Sequence, residues 1–218
     1  MKTKNTFLVL LLLLTCSCIF TLEGQYMYKW DKINIPNALS FRIPPSMELR
    51  DNDGIVKKTL DDYVELLYDK HFTPSRVVVQ TKGFDDIEYL ATMLYGRIIV
   101  SLDFNDYRDF AEQIVLFNQS DLDEMSNYDK QQLEEEATTY GVNLKEISKT
   151  TLRSIGNKEA LHFSYLRESV KDKTDVKIDV YRVFTNNYIA EITYSYRLSE
   201  AEVWKNDLEK SVETFEFK

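Results

Sequence analysis

The chain has 218 residues and a formal net charge of −9, with 36 acidic and 27 basic side chains. This balance argues against nucleic acid or an anionic membrane surface as a partner, because both attract positive charge. The length suits one domain with one hydrophobic core. The two cysteines, Cys16 and Cys18, stand near the start, so the rest of the chain is expected to fold without an intramolecular disulfide.

The first 24 residues are predicted to be an export signal. Lys2 and Lys4 give a positive start, and the apolar run at residues 7–14 is too short to span a bilayer. We therefore expect residues 25–218 to form a single domain outside the cytoplasm, either periplasmic or secreted, in the manner of a bacterial envelope protein.

Two routes of processing remain open for this leader. The residues before Cys16 are similar to a bacterial lipoprotein box, although Thr15 stands where a small residue is usual, while Cys18 lacks the preceding aliphatic residue. Lipidation at Cys16 or Cys18 would add membrane affinity through buried methylene groups. Alternatively, a signal peptidase cuts after Gly24 and leaves Gln25 as the first residue. A lipid anchor is the one membrane contact that the sequence predicts.

The first half of the exported part is predicted to hold strands and one helix. Alternation over residues 33–43 predicts two short strands, with which we expect the main sheet to begin. Residues 59–71 carry an apolar stripe at helical spacing behind a capping Thr59. Aliphatic and β-branched residues predict strands at 76–81 and 90–103.

The second half is predicted to hold two helices, a strand meander and a last helix. Residues 107–117 and 120–140 repeat at helical spacing, and the second of these helices is acidic, with a weak apolar stripe of Leu122, Met125, Leu133 and Ala137. Alternation predicts antiparallel strands at 149–153, 159–167, 176–184 and 188–197. A capping box of Ser199 and Glu202 is expected to open the last helix, which an extended tail with Phe215 and Phe217 follows.

Several turn and core segments carry a resemblance to a known family. They are Arg76-Val77-Val78-Val79-Gln80 with Lys82-Gly83, the turn Ile155-Gly156-Asn157-Lys158 leading into Glu159-Ala160-Leu161, the strand pair around Asn186-Asn187, and the terminal Phe215-Glu216-Phe217. In these segments the chain resembles the Mog1/PsbP-like proteins. The resemblance implies an α+β fold, an α/β/α sandwich with a central, mainly antiparallel sheet. Members include an extrinsic photosystem II subunit, a protein that binds a small nuclear GTPase, and bacterial envelope proteins of unassigned role; none implies a catalytic residue here.

The sequence predicts no catalytic residue, no metal site and no cofactor, and therefore no enzyme. His71 and His162 are the two histidines, and both are expected to be structural. Residues 51–54 are similar to the start of a calcium loop, but Lys57 and Lys58 stand where further oxygen ligands would be needed, so a turn explains them better.

Tyrosines of the C-terminal strands form a candidate ligand surface, made of Tyr165, Tyr181, Tyr188, Tyr194 and Tyr196. Tyr188, Tyr194 and Tyr196 share strand parity with the apolar Ala190 and Ile192, which favours their burial beneath helices. If no helix covered that face, the rings would be available to a peptide or a sugar.

Three functions follow as hypotheses. The first is a non-catalytic envelope module or accessory subunit that docks on another protein, through an exposed sheet edge or through the acidic helical region at residues 120–136. The second is a binding module for a small apolar or saccharide ligand, which needs exposed tyrosine rings. The third is a hydrolase, which needs two converging carboxylates, one with a raised pKa.

Overall fold

The computed structural model describes residues 29–50, 76–83, 94–169 and 172–218. The leader with Cys16 and Cys18, the helix predicted at 59–71 with His71, and the turn at 51–54 lie outside these residues.

Strands hold more of the described residues than helices do. They are β1 (Asp31–Ile35), β2 (Leu39–Ile43), β3 (Met47–Leu49), β4 (Arg76–Thr81), β5 (Gly96–Phe104), β6 (Leu144–Ile147), β7 (Thr151–Ile155), β8 (Lys158–Glu168), β9 (Asp175–Phe184), β10 (Tyr188–Arg197) and β11 (Glu216–Phe217). The helices are α1 (Arg108–Gln113), α2 (Gln119–Tyr140) and α3 (Ala201–Glu213). Short 3₁₀ turns follow α1, at Ile114–Leu116, and precede α3, at Leu198–Glu200.

The described strands form two antiparallel sheets. The larger has eight strands in the order β3-β4-β5-β10-β9-β8-β6, with β7 also pairing with β8. The smaller has three strands in the order β1-β2-β11. The expectation that the main sheet begins at residues 33–43 is therefore wrong. The hairpin forms as predicted, but β2 pairs with the last strand of the chain instead of the large sheet.

The large sheet is covered on both faces. On one face, Phe163 and Val180 belong to a cluster against which Leu133 of α2 packs. On the other, Trp204 and Leu208 of α3 join a larger core that also contains residues of the small sheet. Alternation along β8 and β9 supplies apolar side chains to both clusters, whereas β10 supplies them to the larger core. The chain is thus an α+β sandwich with a mainly antiparallel central sheet, as the resemblance implied.

The small sheet is joined to the large one at the turn between β7 and β8. The side chain of Asn157 accepts a hydrogen bond from the Phe217 amide at 3.0 Å and donates to the Phe217 carbonyl at 3.3 Å. Gly156, at φ 54°, lies directly against the backbone of Phe215. Phe215 in turn stacks on Phe41 of β2, with ring centroids 4.6 Å apart. Two of the segments that carried the family resemblance therefore meet in space.

Helix α2 is held to the sheet by a buried charge. Asp129, 2% exposed, pairs with Arg182 of β9 and accepts a hydrogen bond from the Thr150 hydroxyl at 2.8 Å. The guanidinium of Arg182 also lies 5.1 Å from the ring centroid of Phe163 and 2.9 Å from a carboxylate oxygen of Glu191. The acidic helix thus has one carboxylate in the core.

The helix starts differ from those predicted. The predicted capping box of Ser199 and Glu202 is wrong, because α3 begins after a 3₁₀ turn and has no capping side chain. Glu200 there accepts a hydrogen bond from the Tyr95 amide at 2.6 Å and one from the Trp204 indole at 3.3 Å. A reciprocal capping box opens α2 instead, between Asn118 and Asp121.

Two other elements differ from the sequence-based prediction. Strand β6 was not predicted, and α1 is shorter than the helix predicted at residues 107–117.

Replacing Gly156 by alanine is expected to destabilise the protein strongly. A Cβ at this position would overlap the Phe215 carbonyl oxygen and lie 2.6 Å from its carbonyl carbon, and φ is positive. We expect the free energy of unfolding in urea to fall by more than about 3 kcal/mol. Gly141→Ala is the matched control, because φ is 62° there and nothing lies within 4 Å of the new Cβ. This control should lower the free energy of unfolding by only about 1 kcal/mol. Equal losses in the two variants would contradict the close approach of Gly156 to the backbone of Phe215.

Replacing Asp129 by alanine is expected to cost about 2 to 4 kcal/mol of unfolding free energy, because it leaves the partly buried Arg182 with Glu191 alone and removes the acceptor of the buried Thr150 hydroxyl. The double variant Asp129→Ala, Arg182→Ala should lose less than the sum of the two single variants. Lys130→Ala is the control, since it removes only an exposed pair with Glu134 at 3.8 Å and should cost less than about 0.5 kcal/mol. Additive losses in the double variant would show that the buried pair is not coupled.

Candidate functional site

A cleft of about 230 Å³ opens between α3 and the β7 to β10 part of the large sheet. We call it the tyrosine cleft. Its lining comprises Arg153, Ser154, His162, Asp179, Tyr181, Tyr194, Tyr196, Lys205, Leu208, Glu209, Val212 and Glu213. A larger hollow of about 510 Å³ beside α1 is lined by residues of that helix, of two turns and of the strand ends next to them, and it contains none of the predicted site residues.

Three of the five candidate tyrosines meet in this cleft. Strand pairing places Tyr194 opposite Asp179 and Tyr181 opposite Ile192, so both rings point to the α3 side of the sheet. The ring planes of Tyr181 and Tyr194 are nearly perpendicular, at 87°, with centroids 6.0 Å apart. Tyr196 follows on the same face of β10.

The other two tyrosines lie elsewhere. Tyr165 is on the opposite face of the sheet, next to α2, where it packs against Phe163 and its cluster. Tyr188 faces the small sheet, and its hydroxyl donates a hydrogen bond of 2.6 Å to the carbonyl of Ala38. The predicted burial of Tyr188, Tyr194 and Tyr196 is confirmed, with exposed fractions of 1%, 2% and 7%.

His162 lies at the floor of the tyrosine cleft. Its Nε2 is 3.1 Å from Oδ1 of Asp179, and its ring centroid is 4.5 Å from that of Tyr181. The imidazole is buried on the sheet face, while the carboxylate of Asp179 is about a quarter exposed. The hydrogen bond orients the imidazole and leaves its second nitrogen available for one further donor or acceptor contact.

Burial keeps the phenols of the cleft neutral. It raises the pKa of Tyr181 to about 12, with the charge of Asp179 as a second cause. Burial likewise raises the pKa of Tyr194 far above its ordinary value and raises that of Tyr196. Each hydroxyl therefore keeps its proton at neutral pH and can both donate and accept a hydrogen bond.

The hydroxyl oxygen of Tyr194 is fully buried beside the side chain of Ser211 on α3. Interaction with Ser211 opposes the rise that burial gives the pKa of Tyr194. The Ser211 hydroxyl in turn donates to the carbonyl of Arg42 at 2.7 Å, which ties α3 to the small sheet.

Charges of both signs surround the mouth of the cleft. Lys205 and Glu209 of α3 form an exposed pair at 4.0 Å, and Arg153 and Glu213 lie beside them. The mouth is therefore polar, without a large excess of either sign. Sequence reasoning found the tyrosines by strand parity but not these charged residues, because only the position of α3 brings them together.

Two further findings concern metals and membranes. Among the described residues, no three His, Cys, Asp or Glu side chains lie close enough together to hold a metal ion. None of the helices in the described ranges is both long and apolar enough to cross a membrane.

Comparison with known proteins finds similar structures but no matching sequence family. No protein-family model matches the chain, and neither does any curated protein. Similar solved structures include one from Bacteroides thetaiotaomicron VPI-5482, with a TM-score of 0.45 and 11% identity over 87% of this chain and 49% of that one. The present chain thus spans about half the length of the Bacteroides protein.

Two further structures match over most of their own length. LpqN, involved in cell envelope biogenesis of Mycobacterium tuberculosis, has a TM-score of 0.44 and 7% identity over 89% of this chain and 96% of its own. A cyanobacterial PsbP from Synechocystis sp. PCC 6803 has a TM-score of 0.45 and 11% identity over 86% and 92%. The chain is thus similar in structure to a PsbP, which belongs to the group that the sequence resemblance named. Its α+β class follows independently from the order of its strands and from the packing of helices on both faces of the large sheet.

Raising the pH is expected to destabilise the protein between pH 10 and about 12. The pKa of Tyr181 is raised to about 12 in the folded state, against about 10 when unfolded. Its contribution to stability is therefore complete below pH 10 and is lost as the pH rises towards 12. Tyrosinate absorbance and circular dichroism, followed together, should show the buried tyrosines ionising only with unfolding. Complete ionisation near pH 10 with the fold intact would contradict this; the denaturant-unfolded chain is the control.

Proposed function

We propose that this chain is an exported, non-catalytic module that docks on another protein through the exposed face of α2. We call this surface the outer face; it comprises Glu124, Tyr128, Gln131, Glu135 and Thr138. The leader pattern at residues 1–24 supports export, with Cys16, Cys18 or Gln25 as the first residue after processing. The docking role rests on the outer face itself.

Helix α2 is a rigid platform. It runs for 22 residues, begins with the capping box of Asn118 and Asp121, and ends at Gly141 in the left-handed conformation. The ion pair between the buried Asp129 and the partly buried Arg182 holds its middle to β9. A surface that is ordered before binding loses little conformational entropy when a partner arrives, which favours docking.

The outer face combines negative charge with an exposed aromatic ring. Its residues recur at helical spacing on the side opposite Asp129 and Leu133, and all are exposed. Tyr128, at its centre, is 55% exposed. Tyrosine is enriched in protein interfaces, whereas large aromatic rings on a solvated helix face contribute little to folding. Exposure of this ring within an acidic face is the observation that carries the proposal, and it fits a partner with a basic surface.

A sheet edge is the weaker of the two docking modes. Edge strand β6 is bulged between Leu144 and Glu146, and its Lys145 pairs with Asp175 at 2.6 Å. At the other end of the large sheet, β3 has only three residues. Bulges, lysines and short strands are the features that keep edges from adding another strand, so we favour the helix.

The carboxyl groups support a non-catalytic role. In the described part of the chain, every carboxyl group whose pKa is shifted has it lowered, each mainly by a hydrogen bond from a neighbouring side chain; these groups are Asp106, Asp123, Asp172 and Glu216. A general acid at neutral pH needs a shift in the opposite direction. The hydrolase hypothesis gains no support from them.

Crosslinked affinity purification of the tagged full chain from native envelopes tests the proposal. We expect a stoichiometric protein partner, and Tyr128→Ala should lower its recovery about tenfold or more by removing the central aromatic contact. The same change should alter the free energy of unfolding by less than about 0.5 kcal/mol, because the ring is exposed.

Val203→Ala is the matched control, since Val203 is 48% exposed on α3, away from the outer face. It should leave recovery of the partner unchanged. Purification of the protein alone, or equal recovery with both variants, would contradict docking through the outer face. The intact mass of the recovered chain shows whether lipidated Cys16, lipidated Cys18 or Gln25 is its first residue.

A further inference from the structure

We propose that a groove at the C-terminal end of α2 binds a free α-amino acid with an apolar side chain. The groove lies between this part of the helix and strands β6 and β8, and we call it the terminal groove. Its apolar lining comprises Leu133, Ala137, Tyr140, Val142, Leu144 and Tyr165, and its charged lining comprises Glu136 and Arg167. Leu133 is on the side of α2 opposite the outer face, so the groove is separate from the docking surface proposed above.

The apolar lining is only partly covered by the rest of the protein. Asp129 is the only buried residue of α2, a helix that the structure describes throughout. Nearer the end of the helix, Leu133 and Ala137 are partly exposed and Tyr140 is 71% exposed. The apolar residues on the other side of the groove are also partly exposed, namely Val142, Leu144 and Tyr165. An apolar ligand between these walls would release water from both of them, which favours its binding.

The size and order of the terminal groove favour a small ligand. Its volume is about 330 Å³, near the lower end of the 300 to 1,000 Å³ that is typical of small-molecule sites. Gly141 ends α2 in the left-handed conformation, and the Val142 amide donates to the Ala137 carbonyl at 2.9 Å. Strand β6 then pairs with β8, with Leu144 opposite Arg167. Because hydrogen bonds fix these walls before binding, a ligand as small as one amino acid loses little affinity to their ordering.

The charges of the groove match a zwitterion. Burial raises the pKa of Tyr165, while the charge of Arg167 lowers this pKa and that of Glu136 raises it, so both charges act on the same end of the groove. An α-amino acid carries a carboxylate and an ammonium group on one carbon. Its carboxylate accepts from the guanidinium, and its ammonium group donates to the Glu136 carboxylate. A ligand with only one of these charges would be attracted by one residue and repelled by the other.

The guanidinium of Arg167 is positioned to receive a carboxylate. It donates to the backbone carbonyl of Glu168 at 3.1 Å and hydrogen-bonds the side chain of Tyr165. These two contacts orient the guanidinium, and within the described part of the chain they leave further N–H groups for a ligand. The planar arrangement of these donors matches the two oxygens of a carboxylate.

Titration of the full chain with single amino acids tests the proposal, with affinities measured by nuclear magnetic resonance or calorimetry. The apolar probes are L-leucine, L-isoleucine, L-phenylalanine and L-methionine. For the one that binds best, the probes also include its amide, which lacks the carboxylate, and its deaminated acid, which lacks the ammonium group. We expect at least one amino acid to bind. Both counterparts should bind about tenfold more weakly, because each loses one charge-assisted hydrogen bond.

Three outcomes of this titration would overturn the proposal. The first is failure of all four amino acids to bind at millimolar concentration. The second is equal binding of the amide or of the deaminated acid, because the charged end of the groove would then have no role. The third is tighter binding of the N-acetylated amino acid, which would identify the C-terminal end of a protein chain as the occupant instead.

Glu136→Gln tests the contact with the ammonium group. Glu136 is exposed, so the temperature of unfolding should not change. The variant should weaken binding of the amino acid several-fold and leave the deaminated acid bound equally or more tightly. Glu134→Gln is the matched control, because Glu134 is also exposed on α2 but pairs with Lys130 at 3.8 Å, outside the groove. Equal loss in both variants would overturn the site, because affinity would then follow the general charge of the helix.

Arg167→Gln tests the contact with the carboxylate. The variant should weaken binding of the amino acid about tenfold and leave the affinity for its amide unchanged, because the amide has no carboxylate to lose. A purely structural role of Arg167 would weaken both ligands equally. Equal weakening would therefore overturn the proposed contact, and so would unchanged affinity for the amino acid.

Discussion

The contact between the β7–β8 turn and the end of the chain determines how the layers of this protein fit together. Asn157 pairs with both backbone groups of Phe217, and Gly156 allows the backbone of Phe215 to approach the turn directly. Through this contact, the small sheet becomes part of the main core, and the C-terminal end of α3 has a defined position. Its N-terminal end is held by Glu200, which accepts from Tyr95 and Trp204. Because α3 is anchored at both ends, a cleft of defined width remains between it and the strands beneath.

Local pattern predicts much of this fold, and its errors have nonlocal causes. Strands β8 and β9 alternate clearly, because each supplies one face to the cluster beside α2 and the other to the core beside α3. Strand β6 was missed because Leu-Lys-Glu-Ile is short and has little alternation. The predicted capping box at Ser199 was wrong because Glu200 forms tertiary contacts and itself stands at the N-cap, so the helix begins one residue later than the local motif predicts. The burial of Asp129 could have been predicted from the sequence. It lies between Met125 and Leu133 on the apolar stripe of α2, where a lone carboxylate indicates a partner of opposite charge in the core.

The candidate site was predictable only in part. Strand parity predicts that Tyr194 and Tyr196 are buried on one face, and they are. It does not predict that Tyr181 joins them while Tyr165 and Tyr188 do not, because that depends on the register between β9 and β10 and on where α3 lies. The charged mouth of the cleft depends on the same packing. There, residues of α3 lie next to Arg153 of β7, about 50 residues away in the sequence. Local sequence patterns do not predict contacts between residues so far apart.

Strand β9 serves both sides of the large sheet with neighbouring residues. Tyr181 points into the cleft, and the next residue, Arg182, holds α2 on the opposite side of the sheet through Asp129. Adjacent side chains of a strand point to opposite faces and share one peptide unit. The attachment of α2 and the floor of the cleft therefore depend on the same short stretch of backbone, so a substitution that shifts this stretch disturbs both layers at once.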